Sequence, residues 1–329
     1  MGVWQRTREY FNTLATAWDE FWFTPTDPAT LSLIRVFTGA MLFYTHLIWS
    51  WDLIAFFGPN GWLPLEAIRP VSDPYSWTFF NLIGSHWLLW TVHLASLLIF
   101  FCLMVGLFSR TMAVLAFITA ISYATRVTPG AFWGLDKINC MLAMYLMLGP
   151  CGARYSLDRL WQLQKGFAPE AAPSIAANVA IRLIQIHLCI IYLFSGLGKL
   201  QGDFWWNGAA VWYSIANQEY QSLDLTWLAN YPAIMDLLTH ATVFFEVFYC
   251  CLIWPRLTRP WMLLGAVGIH GFIALGLGMM TFGLVMLIAN LAFISPATVR
   301  RWVDPLARRI SLAVVGDGTG QGTREPARA

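Results

Sequence analysis

Long, mostly apolar runs are the feature that most limits what this chain can fold into. A helix needs about 20 apolar residues to cross the hydrocarbon core of a bilayer, which is about 30 Å thick. Only 12% of the residues are charged, whereas about 25% are charged in an average soluble domain. These features predict an all-α, polytopic bundle of about eight transmembrane helices and exclude an ordinary water-soluble globule. The eight runs lie at residues 30–50, 87–108, 111–128, 136–150, 177–198, 234–253, 260–277 and 281–295.

Two of these assignments rest on helix length. A helix over residues 136–150 would be about 22 Å long, so it is expected to be tilted or to cross only part of the membrane. The last two runs form one apolar stretch from Trp261 to Ile294, and about 34 helical residues would overshoot the bilayer. We therefore divide this stretch at Gly276–Gly278. Six spans are the alternative if two of the short runs re-enter the membrane.

The distribution of basic residues predicts the orientation, because cytoplasmic loops carry an excess of lysine and arginine. Assigning the connections alternately to the two sides places 14 of the 20 Lys and Arg residues on one side and four on the other. The remaining two, Arg35 and Arg182, lie inside runs. The asymmetry predicts that both termini are cytoplasmic and that the number of spans is even.

The chain divides into a membrane domain with two flanking segments. Residues 1–29 are predicted to form a cytoplasmic, amphipathic segment without a secretory signal. Residues 30–296 form the transmembrane domain, and residues 297–329 are predicted to form a basic cytoplasmic tail that is disordered at its end. The outer connections at 51–86 and 199–233 are rich in Trp, Pro and Gly, which is typical of amphipathic segments at a membrane surface.

Several function classes find no support in the sequence. The net charge of +2 gives no indication of nucleic-acid binding. The six cysteines lie within or beside apolar runs and are predicted to be small hydrophobic residues rather than a disulfide framework. No HExxH or CxxC motif and no carboxylate-rich ligand set occurs, so no metal is expected.

Charged residues inside the apolar runs indicate a polar network within the bundle. A charged side chain at the centre of a bilayer costs at least ~2.5 kcal/mol and therefore needs a partner. Arg35, Arg182 and Glu246 are expected at nearly one depth, where we predict a buried ion cluster. Gln185, one turn from Arg182, is expected to be a hydrogen-bonding neighbour. Such a cluster either fixes the order of the helices or takes part in a reaction.

His187 and His270 are predicted to form a second polar layer nearer to the middle of the membrane. Histidine is the side chain best suited to proton exchange near neutral pH. Two interpretations stay open for these residues. They transfer protons, or they form hydrogen bonds that join facing helices.

Lys199 stands at the outer end of the fifth run, beside an aromatic loop. One interpretation is a snorkelling lysine that anchors the helix end in the headgroup layer. The other is a lysine that the loop partly desolvates, so that its neutral amine acts as a base. The position of Lys199 in the sequence does not separate the two interpretations.

Three segments resemble a known family. They are FTPTDPATLSLIRVFTGAMLFY (23–44), GPCGARYSLDRLW (149–161) and FSGLGKLQGDFWWNGAAVW (194–212). Together they resemble the HTTM proteins, which are bacterial membrane proteins related to the vitamin K-dependent γ-glutamyl carboxylase. The run at 269–296 is similar to the final membrane segment of that carboxylase. The resemblance implies a membrane-embedded enzyme in a bacterial inner membrane.

The resemblance also implies site residues. The GLGKL stretch looks like the carboxylase motif whose lysine deprotonates vitamin K hydroquinone, and that lysine falls on Lys199. The implied cofactor is a vitamin K or menaquinone hydroquinone, which Trp205 and Trp206 are expected to contact. His270 is expected to assist proton transfer, and Glu246 is expected to hold an arginine.

The chain departs from the family pattern at two positions. Gly198 replaces an adjacent lysine of the motif, and Ala153 occupies the place of a histidine that supports the base in the carboxylase. Bacterial relatives include proteins that assist the production or export of a toxin peptide. A second function therefore stays open, a non-catalytic membrane factor for the maturation, export or binding of a secreted peptide.

The expected partners are membrane lipids, a quinol and a secreted peptide or protein. A transporter is a third class of function, which the two mid-membrane histidines favour. No inverted repeat of broken spans is found to support it.

Overall fold

The computed structural model describes residues 3–68, 70, 77–127, 134–166 and 170–315, and this part of the chain forms helices without a β-strand. The predicted all-α class is therefore confirmed for the described residues. Short 3-10 helices lie at Phe79–Leu82, Gln218–Tyr220, Thr226–Asn230 and Leu291–Phe293. The α-helices are α1 (Val3–Phe23), α2 (Ala29–Trp49), α3 (Leu53–Phe57), α4 (Leu65–Ile68), α5 (His86–Val105), α6 (Ser109–Val127), α7 (Gly134–Leu146), α8 (Leu157–Gln164), α9 (Ile175–Lys199), α10 (Asp203–Trp206), α11 (Ala210–Ala216), α12 (Pro232–Leu252), α13 (Arg259–Leu275), α14 (Met280–Asn290) and α15 (Pro296–Val315).

Each predicted apolar run coincides with a helix, because α2, α5, α6, α7, α9, α12, α13 and α14 follow the runs to within a few residues. The helix ends have local causes. The hydroxyl of Ser85 accepts a hydrogen bond from Leu88 N at 3.3 Å and caps the start of α5. At its other end Gly106 adopts a φ of 74°, a left-handed conformation that terminates the helix. The predicted division of the last apolar stretch is confirmed, since α13 ends at Leu275 and α14 begins at Met280.

Four of the described helices, α2, α5, α9 and α12, are long and apolar enough to cross a membrane. A fifth span results if α14 with its 3-10 extension and α15 are counted as one broken crossing, which is bent by 114°. Helix α13 is apolar but shorter. The chain is therefore an integral membrane protein, whereas the length and composition of the helices do not confirm the predicted number of eight spans.

The helices pack around a large apolar core and bring α9 directly against α12. Leu188 and Tyr249 are among the residues that are fully buried in this core. Gly196 on α9 permits a close approach, because a Cβ atom at this position would lie 2.8 Å from Val247 N on α12. The contact sets the register of the two helices and places the residues that follow Gly196 beside the middle of α12.

The two long connections and the terminal segments also contain helices. The 51–86 connection contains α3 and α4, and the 199–233 connection contains α10 and α11. Residues 4–20 of helix α1 are all exposed, and they include the large apolar side chains of Trp4 and Phe11. The tail is helical in α15 as far as Val315, and its predicted disordered end lies outside the described residues.

Candidate functional site

Lys199 and Glu246 form an ion pair between α9 and α12. The Lys199 Nζ lies 2.7 Å from Glu246 Oε2 and donates a hydrogen bond to Ser195 Oγ at 2.8 Å. The two charged side chains are 21% and 10% exposed. Lys199 is the last residue of α9, but its amine binds a carboxylate in the interior of α12. This contact differs from that of a snorkelling lysine, whose amine reaches the open headgroup layer.

The aromatic loop that follows α9 covers the ion pair. The chain turns at Gly202 into the short helix α10, which places the centre of the Trp205 ring 5.2 Å from Lys199 Nζ in a cation–π contact. Trp206 Nε1 donates a hydrogen bond to Leu200 O at 2.7 Å and holds the loop in this conformation. An aromatic cover reduces the access of water to the ion pair, and a drier site strengthens electrostatic attraction.

An apolar groove with a volume of about 330 Å³ lies beside Trp205. Its walls come from the aromatic loop and from one face of α12, on which the lining residues recur at helical spacing. Trp205 belongs both to the groove and to the cation–π contact, so the groove and the ion pair share one wall. The lining residues are Leu200, Trp205, Trp206, His240, Val243, Phe244, Val247 and Phe248.

A chain of buried hydrogen bonds begins about two helical turns below Lys199 on α9. Tyr192 Oη lies 2.6 Å from His270 Nε2 and accepts a hydrogen bond from Asn290 Nδ2 at 3.1 Å. Tyr249 donates to Asn290 Oδ1 at 2.6 Å. These four side chains come from α9, α13, α14 and α12, and all four are buried. The chain therefore connects the helices that carry the ion pair with the two helices that follow them.

The ion pair and the buried chain share two helices. Lys199 and Tyr192 lie on α9, and Glu246 and Tyr249 lie on α12. Tyr192 was not predicted as a site residue from the sequence, although a signal was present. Tyr192, Ser195 and Lys199 follow one another at intervals of three and four residues, which places them on one face of a helix.

The predicted ion cluster of Arg35, Arg182 and Glu246 is wrong. Arg35 is fully buried, and its guanidinium binds backbone carbonyls of α5 and of the segment after α7. The carbonyls at the end of α5 lack helical partners and attract a cation, so they replace the expected carboxylate. The acceptors are Leu103 O at 2.6 Å, Met104 O at 2.8 Å, Cys151 O at 3.1 Å and Tyr155 O.

Arg182 and Gln185 bind each other, as predicted, but do not bind Glu246. Arg182 Nη1 donates to Gln185 Oε1 at 3.0 Å, and its Nε donates to Phe21 O at 3.2 Å. Gln185 Nε2 donates to Ala292 O at 2.8 Å. These hydrogen bonds join α9 to α1 and to the 3-10 turn after α14, on the half of α9 that is opposite to Lys199.

His187 and His270 do not share a layer of contacts. The Nδ1 atom of His187 lies 2.9 Å from Tyr145 Oη on α7, whereas His270 bonds to Tyr192 on α9. The two histidines therefore join different pairs of helices. The contact of His187 agrees with the interpretation of a hydrogen bond between facing helices.

The segment around Ala153 lies at the opposite end of α9 from Lys199. Gly149 in this segment packs against Ala176, because a Cβ atom on Gly149 would lie 3.0 Å from Ala176 O at the start of α9. Helix α9 has 25 residues, so its ends are about 37 Å apart. A histidine at position 153 would be too distant to support Lys199. The departure from the family pattern at Ala153 therefore removes no group from the Lys199 site.

Two of the three segments that carry the family resemblance meet at this opposite end. Arg154 binds Asp27 through two hydrogen bonds, at 2.7 and 2.8 Å. Asp158 accepts hydrogen bonds from Phe108 N and Ser109 N, at 2.8 and 2.7 Å, and thereby caps the start of α6. These polar residues form hydrogen bonds between helix ends, and their role is structural.

The Lys199 site offers groups that exchange protons. Among the residues that the structure describes, no three His, Cys, Asp or Glu side chains come together as a metal site requires. The titratable pair of Lys199 and Glu246 instead lies beside an apolar groove, because Trp205 contacts Lys199 and also lines the groove. Such a site suits a hydrophobic molecule that carries an acidic hydroxyl group.

A family model described as the HTTM domain matches residues 23–298. The matched region contains every helix from α2 to α14. It therefore includes the ion pair, the groove and the buried hydrogen-bond chain. No curated protein and no solved structure matches the chain.

Proposed function

The chain belongs to the HTTM domain family, and we propose that it is a membrane-embedded enzyme in which Lys199 acts as a base on a lipid-soluble hydroquinone. The observation that carries the proposal is the ion pair of Lys199 and Glu246 beside an apolar, aromatic-lined groove. The relation of the family to vitamin K-dependent γ-glutamyl carboxylase also supports the proposal that Lys199 acts as a base. The proposed reaction class is that of a quinol-dependent carboxylase or epoxidase.

The residues of the groove fit a flat aromatic ring with an apolar tail. Its walls are almost wholly apolar, and Trp205, Phe244 and Phe248 offer ring-sized contact surfaces. Trp205 would hold the ring of a bound molecule close to Lys199 Nζ, and the face of α12 would hold the tail. When bound, a reduced vitamin K or menaquinol supplies, on reaction with oxygen, the strong base that removes a proton from a substrate carbon.

Lys199 and Glu246 together provide the proton acceptor. Lys199 Nζ lies 2.7 Å from Glu246 Oε2, so the carboxylate is close enough to accept a proton from the ammonium group, which leaves a neutral amine. The amine then takes the proton of a hydroxyl group held in the groove, while Glu246 keeps the proton that it received.

Formation of a quinone epoxide tests the proposal. Purified protein in detergent, supplied with reduced vitamin K or menaquinol, is expected to form the epoxide. Lys199→Met is expected to lower the rate by about 100-fold or more, as removal of a general base does. Lys165→Met is the matched control, because Lys165 also lies over a tryptophan, Trp161, at 4.0 Å but lines no part of the groove. Equal rates for Lys199→Met and the control would contradict the proposal.

A non-catalytic membrane factor for the maturation, export or binding of a secreted peptide is the second candidate. The ion pair favours it, because the contact of Lys199 with Glu246 holds α9 against α12. This function predicts that the wild type forms no epoxide.

The proposed site faces the outer surface of the membrane. We place both termini in the cytoplasm of a bacterial inner membrane, because 14 of the 20 Lys and Arg residues are assigned to that side. All eight of the helices that match the apolar runs then lie in the bilayer. In this arrangement the Lys199 end of α9 faces outward, where a secreted peptide would be met.

A further inference from the structure

We propose that Asn290 holds His270 in the neutral tautomer that carries its proton on Nδ1, and that this buried Nδ1–H group binds an oxygen atom of the quinone or quinol. The identity of the oxygen rests on the proposed function, whereas the tautomer follows from the hydrogen-bond geometry alone. His270 is then a donor to the ligand and not a proton acceptor.

The orientation of the Asn290 amide follows from a backbone carbonyl. Asn290 Nδ2 lies 2.9 Å from Met286 O, which can only accept a hydrogen bond. The opposite amide orientation would place two acceptor oxygens against each other. With Nδ2 on this side, its second hydrogen points to Tyr192 Oη at 3.1 Å, and Asn290 Oδ1 accepts from Tyr249 at 2.6 Å. All hydrogen-bonding groups of the amide are thus in use.

The hydroxyl of Tyr192 transmits this orientation to His270. Because Tyr192 Oη already accepts from Asn290, its own proton is free to go to His270 Nε2 at 2.6 Å. That arrangement leaves one unpaired group, the Nδ1–H of His270. A proton on Nε2 would leave two unpaired groups, which are the hydroxyl proton of Tyr192 and the lone pair of Nδ1. Among the described residues, the Tyr192 hydroxyl has only His270 and Asn290 as partners, so its proton would have no acceptor. The first arrangement is favoured because each unpaired buried group costs free energy.

The unpaired Nδ1–H group points to a ligand. His270 is 4% exposed, and its Nδ1 has no hydrogen-bond partner within the described part of the chain. Buried polar groups in native proteins nearly always have partners, so such a donor indicates a missing acceptor. Tyr192, to which His270 bonds, lies on the same face of α9 as Lys199 and about two helical turns away. A neutral donor at this position suits an oxygen that becomes negative when its proton is removed. The site therefore combines a base, Lys199, with a hydrogen-bond donor, His270.

Nitrogen NMR of 15N-histidine-labelled full-length protein in detergent tests the tautomer, because protonated and unprotonated ring nitrogens have widely separated shifts. The His270 signals are assigned by their loss in His270→Gln. We expect the wild type to carry the proton on Nδ1. Asn290→Asp replaces the donor with an acceptor for the Tyr192 hydroxyl, so the proton of His270 is expected to move to Nε2. His187, which bonds to Tyr145, is the internal control and should not change.

Tyr192→Phe is a second variant that removes only a hydroxyl and does not depend on the folding of Asn290→Asp. It should leave Nε2 unprotonated and shift its signal toward that of a nitrogen without a hydrogen bond. A wild-type proton on Nε2, or a Tyr192→Phe spectrum identical to that of the wild type, would overturn the assignment.

Menadione, a naphthoquinone with two acceptor oxygens and no tail, tests the ligand contact. Titration with menadione is expected to shift the Nδ1 signal of His270 until binding saturates and to leave the signals of His187 unchanged. The absence of a shift at saturating menadione would overturn the contact. The epoxide assay judges the proposed function separately. Epoxide formation with the proton on Nε2 would overturn only this inference, and a menadione shift without epoxide would overturn only the enzymatic reaction.

Discussion

Lys199 and Glu246 hold opposite charges 2.7 Å apart in side chains that are largely buried. Removing one partner of such a pair leaves an uncompensated charge, whereas replacing both leaves none. The stability of the contact between α9 and α12 therefore depends on the intact pair more than on either side chain. This dependence is separate from any reaction and can be measured without a substrate.

A double-mutant cycle tests the ion pair. Lys199→Met and Glu246→Gln are each expected to lower the free energy of unfolding by about 3 kcal/mol. This is the low end of the ~3 to 5 kcal/mol that the loss of one partner of a buried pair costs, because the Lys199 side chain is 21% exposed. The double variant is expected to lose clearly less than the two single losses added together, because it contains no lone charge. Unfolding in detergent measures the three values. Additive losses would show that the two charges do not interact.

Arg35 is a buried charge whose partners are carbonyls. Arg35→Met would leave acceptors such as Leu103 O and Met104 O without a donor. Each unpaired buried group costs ~1 to 3 kcal/mol, so we expect the free energy of unfolding to fall by about 3 kcal/mol or more. Arg35→Lys should recover only part of this, since an ammonium lacks the planar fork of a guanidinium. The midpoint of thermal unfolding measures the effect. Arg301→Met, at an exposed position on α15, is the control and should match the wild type.

At the scale of helices, two glycines of α9 have different roles. A Cβ atom at Gly196 would lie 2.8 Å from Val247 N, so this glycine lets α9 and α12 approach closely. A Cβ atom at Gly198 would meet no atom of the described residues within 4 Å. Gly198 is also the position that corresponds, by the resemblance, to a second lysine of the carboxylase motif. The open space at this position could accept a longer side chain without moving α12.

The two glycines form a matched pair for measuring the contact between α9 and α12. Gly196→Ala is expected to separate the helices, to lower the midpoint of thermal unfolding and to reduce epoxide formation, because the register of Lys199 and Glu246 depends on this contact. Gly198→Ala is expected to be neutral or to stabilise the protein by up to about 1 kcal/mol, the difference in helix propensity. Equal effects of the two substitutions would contradict the close approach at Gly196.

At the scale of the whole molecule, the two ends of the bundle differ in character. One end is tied together by Arg35, by the ion pair of Arg154 with Asp27, and by the cap that Asp158 provides for α6. The other end carries Lys199, the aromatic loop and the groove. Hydrogen bonds and an ion pair therefore hold the helices together at one end of the molecule, and the proposed reaction takes place at the other end.

Fusions to reporter proteins test the proposed orientation of these two ends. Alkaline phosphatase inserted after Asp224 is expected to be active, because the 199–233 connection is assigned to the outer side. The same enzyme fused after Lys165 or after Ala329 is expected to be inactive, and a green fluorescent protein fused after Ala329 should fluoresce, because these sites are assigned to the cytoplasm. Activity after Lys165 together with inactivity after Asp224 would reverse the orientation.

The sequence by itself determined the class of the protein and the position of its helices, because the apolar length that a bilayer requires is a local property of the chain. It also pointed to Lys199, Glu246 and His270, since charged and titratable residues are rare in apolar runs. The tertiary structure alone decided their partners. Glu246 binds Lys199 and not an arginine, and Arg35 binds carbonyls, because pairing depends on the order and register of helices that are distant in sequence. The same reason explains why neutral Tyr192, whose partners come from other helices, acquired its meaning only in the folded bundle.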